Sequence, residues 1–227
     1  MTVAKTALII GASRGLGLGL VQRLREDGWH VVATVRDPAK ASALNAVAGV
    51  QVETLEMNSG SQLDALQQRL KGQNFDLLFV NAGIMGPQPQ DPEQVQAADV
   101  GELFLTNSVS PIRVAQRFAG QVRDDGVLAF MSSILGSVSI PDASEMCLYK
   151  ASKAALNSMI NSFVVSLARP QLSVLAMHPG WVKTDMGGEG ADIDVLTSTR
   201  GMLAQVKANA GKGGLQFIDY KGDALVW

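Results

Sequence analysis

Short apolar runs recur along the chain, and turn-forming residues bound each of them. The runs are apolar along their whole length, which is typical of strands buried on both faces of a parallel sheet. Between the runs, apolar positions repeat at helical spacing, as at Leu16, Leu20 and Leu24. This alternation predicts an α/β fold, a doubly wound parallel sheet with helices on both faces. The six predicted strands are residues 7–10, 31–35, 50–55, 75–80, 127–131 and 172–177.

The sequence contains no proline-rich or serine-rich linker, no block of like charges and no internal repeat. We therefore expect one domain that spans residues 1–227. The least regular segment is residues 186–195, which is rich in glycine and acidic side chains and precedes a predicted helix from about Asp194 to Asn209. Ligands of such sheets bind outside the carboxyl ends of the strands, so we expect this segment to form a lid.

The amino-acid composition and net charge exclude several classes of protein and binding partner. The chain is 47% hydrophobic, which excludes a solvated disordered protein. A net charge of −2 with only 18% charged residues argues against a nucleic-acid partner. No stretch of about 20 mainly apolar residues is visible, and we find no export signal. We therefore expect a soluble, cytoplasmic protein with no membrane partner.

Cysteine and histidine are scarce. Cys147 is the only cysteine, which excludes an intrachain disulfide. His30 and His178 are far apart in the sequence and each lies beside a predicted strand, so they do not form a paired metal site. We therefore predict no bound metal.

A glycine-rich turn joins the first predicted strand to an amphipathic helix. Gly11 allows the tight turn, Gly15 lets backbone amides approach a pyrophosphate, and Gly17 lets the helix pack on the strand. The turn therefore predicts a dinucleotide site, and the alternative is a turn that binds no ligand. The predicted contacts in this turn are Gly11, Ser13, Arg14, Gly15, Leu16 and Gly17.

The end of the second strand indicates which dinucleotide binds. Sites for NAD usually carry an acidic residue there, which holds the ribose hydroxyls. This chain has Arg36 instead, and Arg14 in the glycine turn offers a second cation. Two cations suit the 2′-phosphate of NADP(H), which is the predicted cofactor. The alternative is that Arg36 merely pairs with Asp37 at the surface.

Tyr149 and Lys153 are four residues apart in a predicted helix, so both side chains lie on one face. The chain has only two tyrosines, so such a spacing seldom arises by chance. An ammonium beside a phenol stabilises the phenolate, and we expect Lys153 to lower the pKa of Tyr149 from about 10 toward the range of a general acid–base. The alternative is an exposed pair on the helix surface.

Five motifs occur in one order over nearly the whole chain: Gly11-x-x-x-Gly15-x-Gly17, Asn81-Ala82-Gly83, Ser132-Ser133, Tyr149-x-x-x-Lys153 and Pro179-Gly180. Together they resemble the short-chain dehydrogenase/reductase family, which has a Rossmann-like domain. Residues 132–137, 152–157, 178–186 and 217–227 are similar to its C-factor-like branch, which includes the Sniffer carbonyl reductases.

The resemblance implies catalytic roles for four residues. Tyr149 would donate a proton to a substrate carbonyl oxygen as hydride arrives, or accept it in the reverse direction. Lys153 would lower the pKa of this phenol and hold the nicotinamide ribose. Ser133 would hydrogen-bond the substrate oxygen, where negative charge develops, with Ser132 as the alternative. Asn107 would support a water relay to the lysine.

The resemblance also implies further cofactor contacts. Glu56 and Met57 stand where the family usually has Asp and an apolar residue, and would contact the adenine. Thr184 would reach the nicotinamide carboxamide. Beyond the glycine turn and Arg36, the implied contacts are Glu56, Met57, Asn81, Ala82, Gly83, Tyr149, Lys153, Pro179, Gly180, Val182 and Thr184.

The substrate would be a small molecule. Ser133 precedes Tyr149 by a few residues more than in many family members, which suggests an insertion in the loop 138–147 that shapes the substrate pocket. The predicted pocket residues are Leu135, Cys147, Trp181 and Met186. An apolar stripe continues the Tyr149 helix at Leu156, Met159, Ile160, Phe163, Val164 and Leu167, so we expect either a homodimer joined through this helix or a monomer.

These observations predict an NADPH-dependent oxidoreductase that reduces a small, fairly apolar aldehyde or ketone. The alternative is a cofactor-binding signalling or sensor protein of C-factor type with little turnover. The intact set of Asn107, Ser133, Tyr149 and Lys153 favours the enzyme, since a sensor needs no proton donor. A sugar-nucleotide epimerase would need a larger domain after Pro179 than the remaining residues allow.

Overall fold

A computed structural model describes residues 4–140 and 144–227 of the chain. Its strands are β1 (Thr6–Ile10), β2 (His30–Val35), β3 (Val50–Thr54), β4 (Phe75–Val80), β5 (Val122–Met131), β6 (Ser173–His178) and β7 (Gly214–Asp219). They form one sheet in the order β3-β2-β1-β4-β5-β6-β7, and every neighbouring pair is parallel. The strand order reverses between β1 and β4, so a crevice opens at their carboxyl ends, where such sheets bind ligands.

Helices cover both faces of this sheet, as predicted. They are α1 (Gly15–Glu26), α2 (Ser42–Asn45), α3 (Gly60–Arg69), α4 (Ala97–Phe104), α5 (Ser110–Phe118), α6 (Cys147–Leu167) and α7 (Val195–Asn209). Helices α3, α5 and α6 pack on one face, and α1, α2 and α7 pack on the other. No helix within residues 4–140 and 144–227 is long and apolar enough to cross a membrane.

Local chemistry sets the position of the helix that follows the predicted lid. Asp194 caps α7 by accepting a hydrogen bond from the Thr197 amide at 2.7 Å, as short polar side chains do at helix starts. Hydrogen bonds with the Thr197 side chain and with its amide lower the pKa of the Asp194 carboxyl. Gly19 lets α7 approach α1, because a Cβ there would lie 2.5 Å from the Val195 side chain. The lid segment therefore ends against the helix that follows the glycine turn.

The apolar stripe on α6 belongs mainly to the core of this chain. Leu156, Ile160 and Phe163 are buried against the sheet, and Met159, Val164 and Leu167 pack partly buried beside them. By contrast, Val165 on the same helix is 79% exposed. The stripe thus stabilises the fold whether or not α6 also joins two subunits.

The structure adds elements that the hydrophobic pattern did not predict. β7 forms the edge of the sheet beside β6. β5 begins five residues before the predicted strand, because Val122 already pairs with Phe75 of β4 ahead of a register shift. Between β2 and β3 the chain forms only one α-helix, the four-residue α2. A π-helix, Leu105–Val109, joins α4 to α5.

The substitution Phe79→Ala tests how much a buried core side chain stabilises the fold. Phe79 lies in β4 with no exposed surface, so Phe79→Ala should lower the free energy of unfolding by about 3–5 kcal/mol. Val165→Ala on the exposed face of α6 is the control and should change it by less than about 0.5 kcal/mol. Urea denaturation measures both, and an equal loss in the two variants would contradict this description of the core.

Candidate active site

A cavity of about 500 Å³ opens at the carboxyl ends of the central strands. This volume falls within the usual range for ligand sites. The predicted site residues that line it are Gly11, Ser13, Arg14, Gly15, Leu16, Arg36, Glu56, Met57, Asn81, Ala82, Gly83, Tyr149, Lys153, Thr184 and Met186. The cavity thus joins the glycine turn to the Tyr-Lys pair, although more than 130 residues separate these motifs in the sequence.

The glycine turn is held by its neighbours in the sheet. The Gly11 amide donates to the Thr34 hydroxyl at 3.0 Å, and the Asn81 side chain donates to the Gly11 carbonyl at 2.6 Å. Gly11 has a φ of +85°, and a Cβ there would lie 2.7 Å from that of Ala82. A Cβ at Gly17 would clash with the Gly11 carbonyl oxygen. Glycine is required at both positions, which leaves the start of α1 open to an anionic group.

Two arginines lie at the glycine-turn end of the cavity. Arg36 follows β2 directly and is exposed, and no carboxylate ends that strand. The Arg14 guanidinium pairs with the Asp185 carboxylate at 2.7 Å, and both side chains are about three-quarters exposed. An ion pair this exposed contributes little stability, so Arg14 can exchange Asp185 for another anion at small cost.

Lys153 is buried where α6 meets the end of β5. Its Nζ donates to the main-chain oxygen of Met131 at 2.9 Å and lies 5.6 Å from the centroid of the Tyr149 ring. Burial lowers the pKa of Lys153 from 10.5 to about 8. The ammonium form therefore still predominates at neutral pH, and it stands beside the phenol.

The pKa of Tyr149 differs from the expectation. Burial raises it from 10.0 to about 12, and a hydrogen bond with Ser133 acts in the opposite direction. The prediction that Lys153 lowers this pKa is wrong for this structure, because removal of the phenolate from water outweighs its neighbours. Tyr149 consequently keeps its proton at neutral pH, and it lines the cavity.

The two adjacent serines have different partners. The Ser132 hydroxyl donates to the Asn157 side chain on α6 at 2.6 Å and is buried. The Ser133 hydroxyl accepts from the Leu135 amide at 3.1 Å and hydrogen-bonds with Tyr149. Ser132 thus fastens α6 to the sheet, and Ser133 is the serine that touches the phenol.

Asn107 lies in the π-helix and is completely buried. Its side-chain oxygen accepts from the Ile84 amide, and its nitrogen donates to the Ile84 carbonyl, both at 2.8 Å. The same nitrogen donates to the Ser152 hydroxyl at 3.1 Å. Gly83 makes this possible, because a Cβ there would press on Asn107 at 3.2 Å and lie 3.6 Å from the Lys153 ammonium. Irregular turns of this kind are frequent at functional sites.

Comparisons with known proteins agree with this geometry. A family model described as short chain dehydrogenase matches residues 5–194. The chain is a short-chain dehydrogenase.

Three relatives illustrate the similarity. The C-signal protein of Myxococcus xanthus is 32% identical over 67% of this chain and 92% of its own length. A carbonyl reductase from Pseudomonas aeruginosa PAO1, solved in complex with NADP, is 39% identical with a TM-score of 0.93, covering 99% of this chain and 100% of that one. The carbonyl reductase Sniffer of D. melanogaster is 30% identical with a TM-score of 0.88 over the same shares of the two chains. The predicted family and its carbonyl reductase branch are confirmed.

Some residues predicted for this short-chain dehydrogenase lie outside the cavity. Gly17, Pro179, Gly180 and Val182 stand behind its wall, where the Pro179 carbonyl accepts from Ser198 at 2.6 Å. Asn107 and Ser133 are also absent from the lining, but Asn107 bonds Ile84 and Ser133 bonds Tyr149, and both of these partners line the cavity.

Three of the four predicted substrate-pocket residues do not line this cavity. Leu135 lies in a 3₁₀ turn, the Cys147 thiol donates to the Gln90 carbonyl, and the Trp181 indole donates to the Gly187 carbonyl at 2.8 Å. Residues 141–143 of the predicted pocket loop lie outside the described residues. Met186 is the one of the four that lines the cavity.

Sequence reasoning missed several lining residues. Asn58 and Thr106 are examples: Asn58 donates to the Thr106 hydroxyl at 2.8 Å and accepts from Ser110 at 2.7 Å. This network joins the end of β3 to the π-helix. The position of Asn58 after a predicted strand was a signal, whereas Thr106 had none, because the irregular turn that presents it leaves no mark in the hydrophobic pattern.

The altered pKa of Lys153 predicts a pH-dependent stability. Between about pH 8 and 10.5 the folded enzyme has released this proton and the unfolded chain still holds it, so unfolding free energy rises with pH. Lys153→Met should lack this rise. The unfolding free energy of the wild type should therefore increase relative to that of Lys153→Met by at most about 1.4 kcal/mol per pH unit. Denaturation at several pH values measures this difference.

Lys71→Met, at an exposed position, is the matched control and should follow the wild type at every pH. A constant difference between wild type and Lys153→Met from pH 7 to 10.5 would show that the Lys153 pKa is not lowered.

Proposed function

We propose that this enzyme uses NADPH to reduce a small, fairly apolar aldehyde or ketone to an alcohol. The observation that carries the proposal is the shared cavity, in which Tyr149 and Lys153 face the same space as the glycine turn. A proton donor placed within a dinucleotide site suits hydride transfer to a carbonyl group, which requires a proton as well.

The residues of the cavity fit NADP(H). The open start of α1 suits a pyrophosphate, and Arg36 and Arg14 suit a 2′-phosphate beside β2, a strand that no carboxylate ends. The Pseudomonas aeruginosa carbonyl reductase bound to NADP supports the same choice. When bound, NADPH supplies the hydride. Asn81 and Gly83 shape the wall beside it, and Lys153 offers an ammonium to its hydroxyls.

Tyr149 is the proposed proton donor. Its raised pKa keeps the phenol protonated over the whole neutral range, so each catalytic cycle starts with the proton on the donor. Ser133, already hydrogen-bonded to this phenol, is placed to donate to the same substrate oxygen as negative charge develops there. The Lys153 ammonium stabilises the phenolate that remains after transfer, and Asn107 holds the wall beside that lysine.

Apolar side chains favour an apolar substrate. Ile84, Met131 and Met186 contribute apolar atoms to the cavity lining. Trp181 and Met186 are also 55% and 45% exposed, which leaves apolar surface on the segment that follows β6. Lys183 and Asp185 also line the cavity in this segment, and their charges are opposite. This pair therefore does not favour a substrate of either charge.

The second candidate is a protein that binds NADP(H) and signals with little turnover. The similarity to C-signal supports it. The protonated Tyr149 phenol in the cavity favours the enzyme, because a sensor that only binds NADP(H) has no use for a proton donor.

Tyr149→Phe tests the proton donor. Removal of the hydroxyl should lower kcat at least about 100-fold, because general acid catalysis by a positioned side chain contributes about that much. Binding of NADPH, measured by its fluorescence, should stay within about twofold since the ring is kept. A panel of aldehydes and ketones, followed by loss of NADPH absorbance, gives the rates. Wild-type turnover in Tyr149→Phe would contradict the role of this phenol.

Arg36→Ser tests the cofactor. Loss of this cation should weaken NADPH binding about 10- to 100-fold, the usual value of a charge-assisted phosphate contact, and should leave NADH binding unchanged. Lys40→Ser removes a nearby exposed cation that does not line the cavity and serves as the control. Equal dissociation constants of the wild type for NADPH and NADH would contradict the choice of NADP(H).

A further inference from the structure

Gln90 is a buried glutamine outside the cavity lining, and only 4% of it is exposed. It lies in the long loop between β4 and α4. Its side-chain oxygen accepts a hydrogen bond from the Tyr149 main-chain amide at 2.8 Å. Its side-chain nitrogen donates to the Met85 carbonyl at 2.8 Å. Both ends of this amide are therefore occupied, and one of them holds the residue that carries the reactive phenol.

The start of α6 needs such a partner. Tyr149 is the third residue of this helix, and the first amides of a helix have no carbonyl one turn earlier to accept from them. The residue before the helix, Met146, makes no side-chain capping bond. Gln90 supplies the acceptor from 59 residues away. The helix that carries the phenol thus begins on a contact with the loop after β4.

A second contact joins the same two segments. The Cys147 thiol donates to the main-chain oxygen of Gln90 at 2.8 Å. Gln90 therefore touches both the first and the third residue of α6. A loop that holds one turn of a helix at two points fixes the direction in which that turn presents its side chains.

The loop also reaches the other side of Tyr149. The Tyr149 carbonyl accepts from the Ser152 hydroxyl at 2.7 Å, and Ser152 accepts from Asn107. Asn107 in turn brackets both main-chain polar groups of Ile84, the residue next to the Met85 that Gln90 contacts. The main chain of Tyr149 is thus held at its amide and at its carbonyl by side chains fixed to one loop.

From these contacts we infer that Gln90 is a positioning residue for the reaction: it caps the start of α6 and thereby holds the Tyr149 phenol in its place in the cavity. The inference rests on the proposed function only for its kinetic consequence, since the capping itself needs no substrate. Gln90 touches neither the cavity nor any reacting atom, so it acts entirely through Tyr149.

Gln90→Leu removes both hydrogen bonds and keeps the approximate volume of the side chain. A small displacement of a reacting group is enough to slow an enzyme strongly, so kcat should fall about 10- to 100-fold. The dissociation constant of NADPH should stay within about twofold, because the glycine turn and the arginines do not contact Gln90. Gln90→Glu keeps an acceptor for the Tyr149 amide and should recover part of kcat.

The single cysteine gives a readout that needs no substrate. Cys147 is the only thiol of the chain, so its rate of reaction with a colorimetric disulfide reagent reports on the start of α6 alone. Loosening of this turn in Gln90→Leu should raise that rate roughly threefold or more, as local opening exposes the group. Gln94→Leu is the matched control. Gln94 is an exposed glutamine of the same loop, and among the described residues it bonds only Asp91. The thiol of this variant should react at the wild-type rate.

The outcomes separate the two proposals. If the wild type reduces no carbonyl compound, the proposed function fails, and the thiol rates still decide whether Gln90 caps the helix. Wild-type kcat and wild-type thiol reactivity in Gln90→Leu would overturn the inference. So would a parallel loss of kcat and NADPH binding, which indicates general damage to the fold. If Gln90→Leu does not fold, Gln90→Met, which also lacks the acceptor for the Tyr149 amide, decides: a lower kcat with unchanged NADPH binding supports positioning, and unchanged kcat and thiol reactivity overturn it.

Discussion

The contact between the Lys153 ammonium and the main-chain oxygen of Met131 is the interaction on which the site depends. A buried ammonium costs several kcal/mol unless a partner replaces water, and this carbonyl is the partner that the fold supplies. The contact ties α6 to the carboxyl end of β5, immediately before the serine pair. Gly136 lets the turn after those serines rest on the Lys153 backbone, where a Cβ would come within 3.0 Å. One buried charge thereby sets the distances among serine, phenol and lysine.

A second constraint comes from the loop after β4. Its first part lines the cavity, and Ile84 is bracketed by Asn107 on the π-helix. Its later part holds the start of α6 through Gln90. The loop therefore connects the wall of the dinucleotide site to the residue that carries the phenol. Side chains held by packing and by further hydrogen bonds keep the geometry that catalysis requires, and here the supporting amides are buried where water cannot replace them.

Much of this arrangement could be predicted from the sequence, for physical reasons that are visible in particular residues. Strands buried on both faces leave continuous apolar runs, so β1, β2 and β4 were predicted to within a residue. The glycine turn and the Tyr-Lys spacing are local patterns tied to chemistry, and the cavity joins them. By contrast, β7 lies at the edge of the sheet after two glycines and lacks a fully apolar run, so periodicity did not indicate it.

Other features depend on contacts between distant parts of the chain. The bond from Gln90 spans 59 residues and leaves no periodic signal. The direction of the Tyr149 pKa shift depends on how deeply the phenol is buried, and spacing along a helix does not reveal burial. The sequence pattern placed the lysine on the correct face of α6 but could not show that burial raises the pKa of the phenol. The identity of the residues in the site was therefore easier to predict than the direction of their pKa shifts.

The central claim is that the Tyr149 hydroxyl and the Lys153 ammonium act together on a substrate carbonyl inside the dinucleotide cavity. A crystal structure of the enzyme with NADP⁺ and an unreactive substrate analogue tests it most directly. We expect the analogue oxygen within hydrogen-bond reach of the Tyr149 hydroxyl, about 3 Å, with the nicotinamide ring beside Lys153. A Tyr149 hydroxyl turned to bulk solvent, with both ligands elsewhere, would contradict it.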